Sequence, residues 1–544
     1  MDLDEIKLNW QRRFSDFTGN KKDKKRPSYL HFDVKPNFRN ATKQIFDTSY
    51  VVRHSFLPFV FFESRTEKIK KIEKLAEQFK YPDYKVSSSK PDLPERFKNR
   101  AKHDDTVANL LISKKGRPHK FSTWKLRPIC YASHFDSLLY SYYGAILSNL
   151  YESLLDEHGL GNEVLAFRPS RDNEKVSNIT HAGNAFSFIE HASPCVVLAF
   201  DVSSFFDILD HKILKKKWIQ VLGYENKNKN TTTLSDHHYS IFKSLTRYSY
   251  VDINEVNKQF GISATNPRGV SSSIHKQMSM GLLPVEKRPV LTKQPKKPGR
   301  KERTRICSPE GFRKHVAPLI KRNTDRGIPQ GSPVSGLLSN IYMIDFDQAA
   351  KSFADERDGI YMRYCDDLLC IIPLKDKKSP NELAEEIQNF IFNLANEYKL
   401  DVNDDKTDKF FFDYNYGRRE LNCSKIQGNS FKPSWLQYLG FNFDGKRVSI
   451  RASSIMRYKK KMKRGINYHL RLRYKHDPFR KLKTQSLRRL YDHAGRGASN
   501  FPSYARRAHN QLDNSIVNKQ LKNRGAELSY QIRLIDSKID KRKK

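Results

Sequence analysis

Three aspartates stand where carboxylates can work on a phosphate. Asp201 closes the β-prone run CVVLAF (residues 195–200), and Asp366 and Asp367 lie between two apolar runs, Ile360–Tyr364 and Leu368–Ile372, that read as the arms of a hairpin. Taken singly, an Asp after a strand or at a hairpin tip is an ordinary turn residue. If the strands are neighbours, the three carboxylates converge, and so close a cluster repels itself unless a cation sits among them. Hard carboxylate oxygens suit Mg²⁺, and two such ions about 3.5–4 Å apart can stabilise both the attacking and the leaving oxygen of a displacement at phosphorus. Two Mg²⁺ ions are therefore the expected cofactor, with Mn²⁺ as a substitute.

The elements that must position these residues can be read around them. Apolar residues recur at helical spacing from Phe135 to Leu150, and again over His211–Leu222 and 381–399. The segment 64–83 has Ile69, Ile72, Leu75, Ala76 and Phe79 on one helical face, and Tyr29–Asp33 reads as a short strand. Two or three further strands are expected between Lys409 and Ile450. Residues 225–325 change character: in Lys287–Arg305, nine of nineteen residues are Lys or Arg, with three prolines and a glycine. This composition predicts an insertion with a basic loop. From Ser454 onward the chain reads as basic helix, with Lys459–Lys463 and Arg488–Arg489 placed to track a nucleic-acid backbone.

The 544 residues contain 100 Lys and Arg against 60 Asp and Glu, a net charge of +40, which on a compact body calls for a polyanionic partner. The six cysteines form no CxxC pair, which disfavours a zinc site and fits a reducing compartment. No run approaches the length of a membrane span, and the amino terminus lacks the apolar core of a signal peptide. A soluble intracellular protein is expected, with no membrane partner.

The blocks around the aspartates resemble the reverse-transcriptase family, in its bacterial, non-retroviral branch, over roughly residues 115–445. Lys125-Leu126-Arg127-Pro128-Ile129 is similar to the first finger motif and Phe167-Arg168-Pro169 to the next. Phe200-Asp201-Val202-Ser203-Ser204-Phe205-Phe206 resembles motif A. The stretch Arg326-Gly327-Ile328-Pro329-Gln330-Gly331-Ser332-Pro333-Val334-Ser335, continuing to Leu338-Ser339-Asn340, resembles motif B. Tyr364-Cys365-Asp366-Asp367 is similar to motif C, Lys406-Thr407 to motif D, and Tyr438-Leu439-Gly440-Phe441 to motif E. Seven blocks in this order are far more specific than any one of them.

The resemblance implies an α+β right-hand polymerase with fingers, an antiparallel-sheet palm and a helical thumb. It divides the chain into an extension (1–100), fingers (101–190), palm (191–224), the insertion (225–325), palm again (326–450) and a basic thumb (451–544). It implies RNA-directed DNA synthesis from dNTPs, with Asp201, Asp366, Asp367 and Lys406 catalytic and with Asp201, Val202, Asp366 and Asp367 holding metal. Lys125, Arg127, Phe206, Gln330 and Gly331 would bind the nucleotide, and Tyr438, Leu439, Gly440 and Phe441 would support the primer end. Phe206, five positions after Asp201, would collide with a 2′-hydroxyl and so favour dNTPs. Gly327, Gly331 and Gly336 would let backbone approach the nucleotide.

Within the family, the long basic insertion and His31-Phe32-Asp33 look most like the defence-associated, abortive-infection enzymes. These act against phage, often with a small noncoding RNA. The partners implied are RNA, a DNA product and dNTPs, with a second reverse transcriptase or a homo-oligomer also compatible. Three alternatives stay open: a retron or intron-derived enzyme, a template-independent or protein-primed DNA polymerase, and a non-catalytic, maturase-like RNA binder.

Overall fold

The computed structural model describes residues 3–15, 29–71, 108–111, 120–169, 177–225, 232–261, 304–375, 378–402, 404–415, 417, 420–476, 487, 490–491, 500–513, 515–521, 530 and 533. The chain divides into two compact units. One is Met1–Ile146 with Thr231–Ser335, the other Leu147–Asn230 with Gly336–Lys544.

In the first unit, Trp10 of the helix Leu3–Ser15 is buried among the rings of Phe38, Phe46 and Tyr142, and donates its indole N–H to Ser141. A five-stranded sheet runs in the order Ala108–Leu111, Lys120–Tyr131, Phe59–Lys71, Ser249–Asp252, Lys321–Arg322. Val60, Val251, Phe260, Ile306 and Val316 form its core. The helix expected from residue 64 is therefore a strand as far as Lys71, paired antiparallel from Val60↔Tyr131 to Lys71↔Lys120. A long neighbouring strand supplies the ladder, and that tertiary pairing overrides a spacing that fits a helix equally well. Residues 72–83 lie outside the described residues.

Tyr29–Asp33 is not a strand either. Its chemistry is local: the Asp33 carboxylate accepts the N–H groups of His134 (3.1 Å) and Phe135 (3.0 Å), which caps the start of the helix His134–Glu157. Part of the expected insertion is regular structure, namely the helix Asp236–Thr246 and the strand Ser249–Asp252, which pairs parallel with Phe59–Phe61. The basic run Lys287–Arg305 lies almost wholly outside the described residues.

The second unit is built on a six-stranded sheet in the order Ser430–Pro433, Glu420–Gln427, Asp408–Asn415, Cys195–Asp201, Asp367–Pro373, Ile360–Tyr364. Cys195–Asp201 is central, antiparallel to both neighbours, and its first four residues are fully buried. This is the physical meaning of its unbroken apolar run. Helices Asn178–Ala192 and Pro380–Glu397 flank the sheet, each begun by a capping box, Ser177 with Thr180 and Ser379 with Glu382. The core joins Phe186, Val197, Leu369, Ile371, Phe412 and Phe443. A three-stranded sheet, Leu436–Tyr438, Phe441–Phe443 and Val448–Ile450, precedes the basic helix Ala452–His476. Lys459–Lys463 lie on that helix, whereas Arg488 and Arg489 fall outside the described residues. Among the described residues no helix is long and apolar enough to cross a membrane.

Candidate active site

The hairpin Ile360–Tyr364/Asp367–Pro373 closes on the pair Tyr364↔Asp367, leaving Cys365 and Asp366 as a two-residue turn. Cys365 has φ +61° and Asp366 does not enter positive φ. That sign pattern belongs to a type II′ turn, whose twist matches the flanking strands but which usually places glycine first. In the central strand, Asp201 pairs directly with Asp367. Directly paired residues project from the same face of a sheet, so these two carboxylates leave it together. The Val202 N–H donates to the Asp366 carbonyl at 3.0 Å, tying the turn to the same point. All three aspartates therefore meet at one end of the sheet, with Asp367 exposed and the others half-buried.

Among the described residues no three carboxylate, imidazole or thiol groups form a ready metal-ligand set. Asp201 instead accepts a hydrogen bond from Lys406 Nζ at 3.0 Å, and the same ammonium donates to Ser203 Oγ at 2.8 Å. The donor chemistry still suits a hard divalent cation: carboxylate oxygens gathered at one solvent-facing sheet end. Val202, expected to contribute its carbonyl, is buried beside them and bridges to Val402.

Beneath the turn lies a group that the motifs do not announce. Arg363 is fully buried, and its guanidinium donates to both oxygens of buried Asp347, at 2.7 and 2.6 Å. It also donates to Asn340 Oδ1 (3.0 Å) and to the Cys365 carbonyl (3.3 Å), while Tyr361 donates to Asp347 at 2.9 Å. Burial drives the Asp347 carboxyl up and Arg363 pulls it back. With three donors on its oxygens, the ionised pair is the state that fits the geometry. Burial would lower Arg363, yet the adjoining carboxylate raises it further above its ordinary range. The signal in the sequence is an arginine inside a buried apolar run, Ile360–Tyr364. Ser203, as the second acceptor for Lys406, was likewise not singled out by its residue type.

Phe206 is half-buried in the short helix Phe205–Ile208 and meets the Phe167 ring edge-on, with centroids 6.4 Å apart. Phe205, its neighbour, is a core residue. Gly336 does not serve a close approach of backbone alone: a Cβ there would lie 2.6 Å from the Phe167 ring.

The remaining expected nucleotide-binding residues belong to the first unit. Lys125 and Arg127 lie on the strand Lys120–Tyr131, opposite Thr66 and Ser64, with Arg127 half-buried. Gln330 accepts the Cys130 N–H at its carbonyl, 2.8 Å, and is followed by Gly331 at φ +115°. A Cβ on Gly331 would lie 2.8 Å from the Cys130 carbonyl oxygen, so only glycine fits this turn. Ser335 Oγ donates to the Pro329 carbonyl at 2.7 Å and fixes the same loop from its other end.

Tyr438, Leu439, Gly440 and Phe441 form a hairpin turn between Leu436–Tyr438 and Phe441–Phe443, with φ +43° at Leu439 and +95° at Gly440. Asn178 donates to the Leu439 carbonyl (3.0 Å), and the Arg451 N–H to that of Gly440 (3.0 Å). Burial, then the Asp367 charge, pushes the Tyr438 hydroxyl far above its ordinary pKa, so it stays neutral. Burial and Arg457 lower the Arg451 guanidinium while Asp367 opposes them. Both residues thus feel the charge of the carboxylate site.

Residues 307–443 match the family model described as reverse transcriptase (RNA-dependent DNA polymerase). The match begins inside the expected insertion (225–325) and omits Asp201, which the fold nevertheless sets opposite Asp367. No curated protein matches the sequence. Among solved structures, the chain is similar to apo telomerase of Candida tropicalis truncated from its C-terminal domain, at 13% identity and TM-score 0.32, covering 64% of this chain and 57% of that one. It is also similar to Candida albicans telomerase in complex with a TWJ fragment of telomeric RNA, at 14% identity and TM-score 0.31, covering 60% and 44%. The complete apo telomerase of Candida tropicalis gives 13% identity and TM-score 0.30, covering 80% and 65%. The chain thus spans less than two thirds of the length of each. A reverse transcriptase domain is thus found over residues 307–443, which include the hairpin of Asp366 and Asp367 in the six-stranded sheet.

Proposed function

We propose that the whole chain copies RNA into DNA from dNTPs, and that it does so in antiphage defence with a noncoding RNA. The observation that carries the polymerase reading is the register Asp201↔Asp367, with Asp366 in the adjoining turn. A binder of polyanions has no physical need for three carboxylates at one sheet end. The basic run Lys287–Arg305 and the resemblance of His31-Phe32-Asp33 support the defence role.

Asp201, Asp366 and Asp367, with the Val202 carbonyl, would hold divalent metal. Two such ions, Mg²⁺ by the hardness of the ligands, supply charge stabilisation for the attacking 3′ oxygen and the leaving pyrophosphate. The chain's own groups do the rest. Lys406 holds a positive charge 3.0 Å from Asp201 and is the proton or charge donor for pyrophosphate. Phe206 excludes a 2′-hydroxyl, Lys125 and Arg127 bind triphosphate, and Gln330 and Gly331 line the nucleotide. The turn Tyr438–Phe441 supports the primer end, and Lys459–Lys463 follow the duplex backbone.

The test is Mg²⁺-dependent dNTP incorporation on a primed RNA by the wild type and by the Asp366→Ala, Asp367→Ala variant. The wild type should incorporate and the variant should lose at least about a thousandfold. Equal, negligible incorporation by both, with RNA still bound, would sink the polymerase reading in favour of an RNA binder. Sequencing the nucleic acid that copurifies with the protein tests the noncoding-RNA partner.

A further inference from the structure

Phe167 has three properties that rarely coincide. It is a bulky aromatic residue at φ +59°, it is 53% exposed, and the backbone on both sides of it is pinned. Before it, the Leu165 N–H donates to the Arg363 carbonyl (2.9 Å), and Asn340 Nδ2 donates to the Ala166 carbonyl (2.8 Å). After it, Arg168 forms a fork on Glu152, with contacts of 2.7 and 2.9 Å, and also donates to the carbonyls of Gly161 and Val164. An exposed phenylalanine gains little from burial, so a left-handed backbone held at it by its neighbours points to a use for the ring's position.

That position is defined by two contacts. One face of the ring lies where a Cβ on Gly336 would be, 2.6 Å from its Cγ, so glycine at 336 is what admits the ring. Its other neighbour is Phe206, met edge-on at 72°. Phe206 is itself only half-buried and follows Ser204, another left-handed residue at φ +51°. A short helix of four residues carries it, too little structure to fix a ring by itself.

We propose that Phe167 is a specificity-determining residue that braces Phe206 and so sets the discrimination between deoxyribose and ribose. This rests on the reading of Phe206 as the residue that excludes a 2′-hydroxyl. A ring can refuse one oxygen atom only if it cannot swing away, and Phe167 removes that freedom. The Asn340 side chain donates to Ala166 and accepts from Arg363, which links the brace to the first arm of the hairpin whose turn and second arm carry Asp366 and Asp367.

The experiment measures incorporation of a dNTP and of the matching NTP by the full chain on a primed homopolymer RNA with Mg²⁺. Wild type is compared with Phe206→Val, Phe167→Ala, Gly336→Ala and the Phe167→Ala, Gly336→Ala double variant. Phe206→Val should admit NTPs. Phe167→Ala should lower the dNTP-to-NTP ratio by about tenfold, mostly by raising NTP incorporation. Gly336→Ala should lower the ratio by displacing the ring, and should add nothing once Phe167 is alanine. A ratio relaxed by Phe206→Val but untouched by Phe167→Ala overturns the brace. So does a parallel loss of dNTP and NTP incorporation in Phe167→Ala. A ratio unchanged by Phe206→Val overturns the underlying assignment of Phe206 instead.

Discussion

The two units bury polar groups in opposite ways. In the first, the polar interior is largely imidazole and hydroxyl. Burial pushes His31 and His238 down to about 3 and His134 to about 4, so the three rings are neutral, and Tyr140 donates to Ser244 at 3.1 Å. In the second, the deepest polar group is a formal ion pair, Arg363 on Asp347. Neutral burial carries little penalty at neutral pH but is exposed to acid. A buried ion pair ignores moderate pH but fails when either partner is lost. The charged solution lies under the carboxylate turn, where the carbonyl of Cys365 needs a donor that stays protonated whatever the neighbouring charges do.

The comparison is broken most severely at Arg363. Arg363→Met should cost about 3–5 kcal/mol, because it strands the Asp347 carboxylate in the core. Denaturant unfolding measures this, and Arg363→Met with Asp347→Leu should recover most of the loss. Failure of the double variant to recover would mean that Arg363 works through Asn340 and Cys365 more than through its ion pair.

Next in size is Lys406, the exposed counterpart of that buried charge. Lys406→Met should lower dNTP incorporation by about a hundredfold while leaving the unfolding midpoint in place. A shift in the midpoint, with activity kept, would make its bond to Asp201 structural.

Smallest per group is the acid response of the first unit. The folded rings have pKa values below the unfolded value of 6.5, so protons favour the unfolded state. The stability they permit is complete above pH 6.5 and is lost as pH falls towards the folded values, about 4 for His134 and about 3 for His31 and His238, at about 2 kcal/mol per ring by pH 5. Hydrogen exchange at pH 7 and pH 5 should show the loss in peptides around His31, His134 and His238 and spare those around Arg363. A uniform loss would erase the contrast between the units.

The same division governs how much could be read from the sequence. In the second unit the strand Cys195–Asp201, the hairpin around Asp366 and the helix Pro380–Glu397 were legible, because burial on both faces or along one stripe leaves an unambiguous pattern. In the first unit the spacing from residue 64 fits a helix, yet Phe59–Lys71 is a strand, since its stability comes from a partner some sixty residues away along the chain, and local spacing does not encode that. Tyr29–Asp33 has the residue types of a strand, but Asp33 caps a helix about a hundred residues away along the chain. At the candidate site, the meeting of Asp201, Asp366 and Asp367 follows from apolar strand runs that the sequence displays. Arg363 and Phe167 were not assigned these tasks, because the guanidinium's partners and the ring's left-handed backbone exist only once the chain has folded.

The pairing of Asp201 with Asp367 has a consequence for how this protein can vary. Side chains alternate faces along a strand, so a shift of one residue in either strand would send one of the two carboxylates through to the opposite face. The two-residue turn at Cys365 and Asp366 leaves no slack to absorb such a shift. A single inserted or deleted residue along Ile360–Tyr364 or Asp367–Pro373 is therefore an all-or-none event for the paired carboxylates. Length in this hairpin is thus constrained more tightly than sequence.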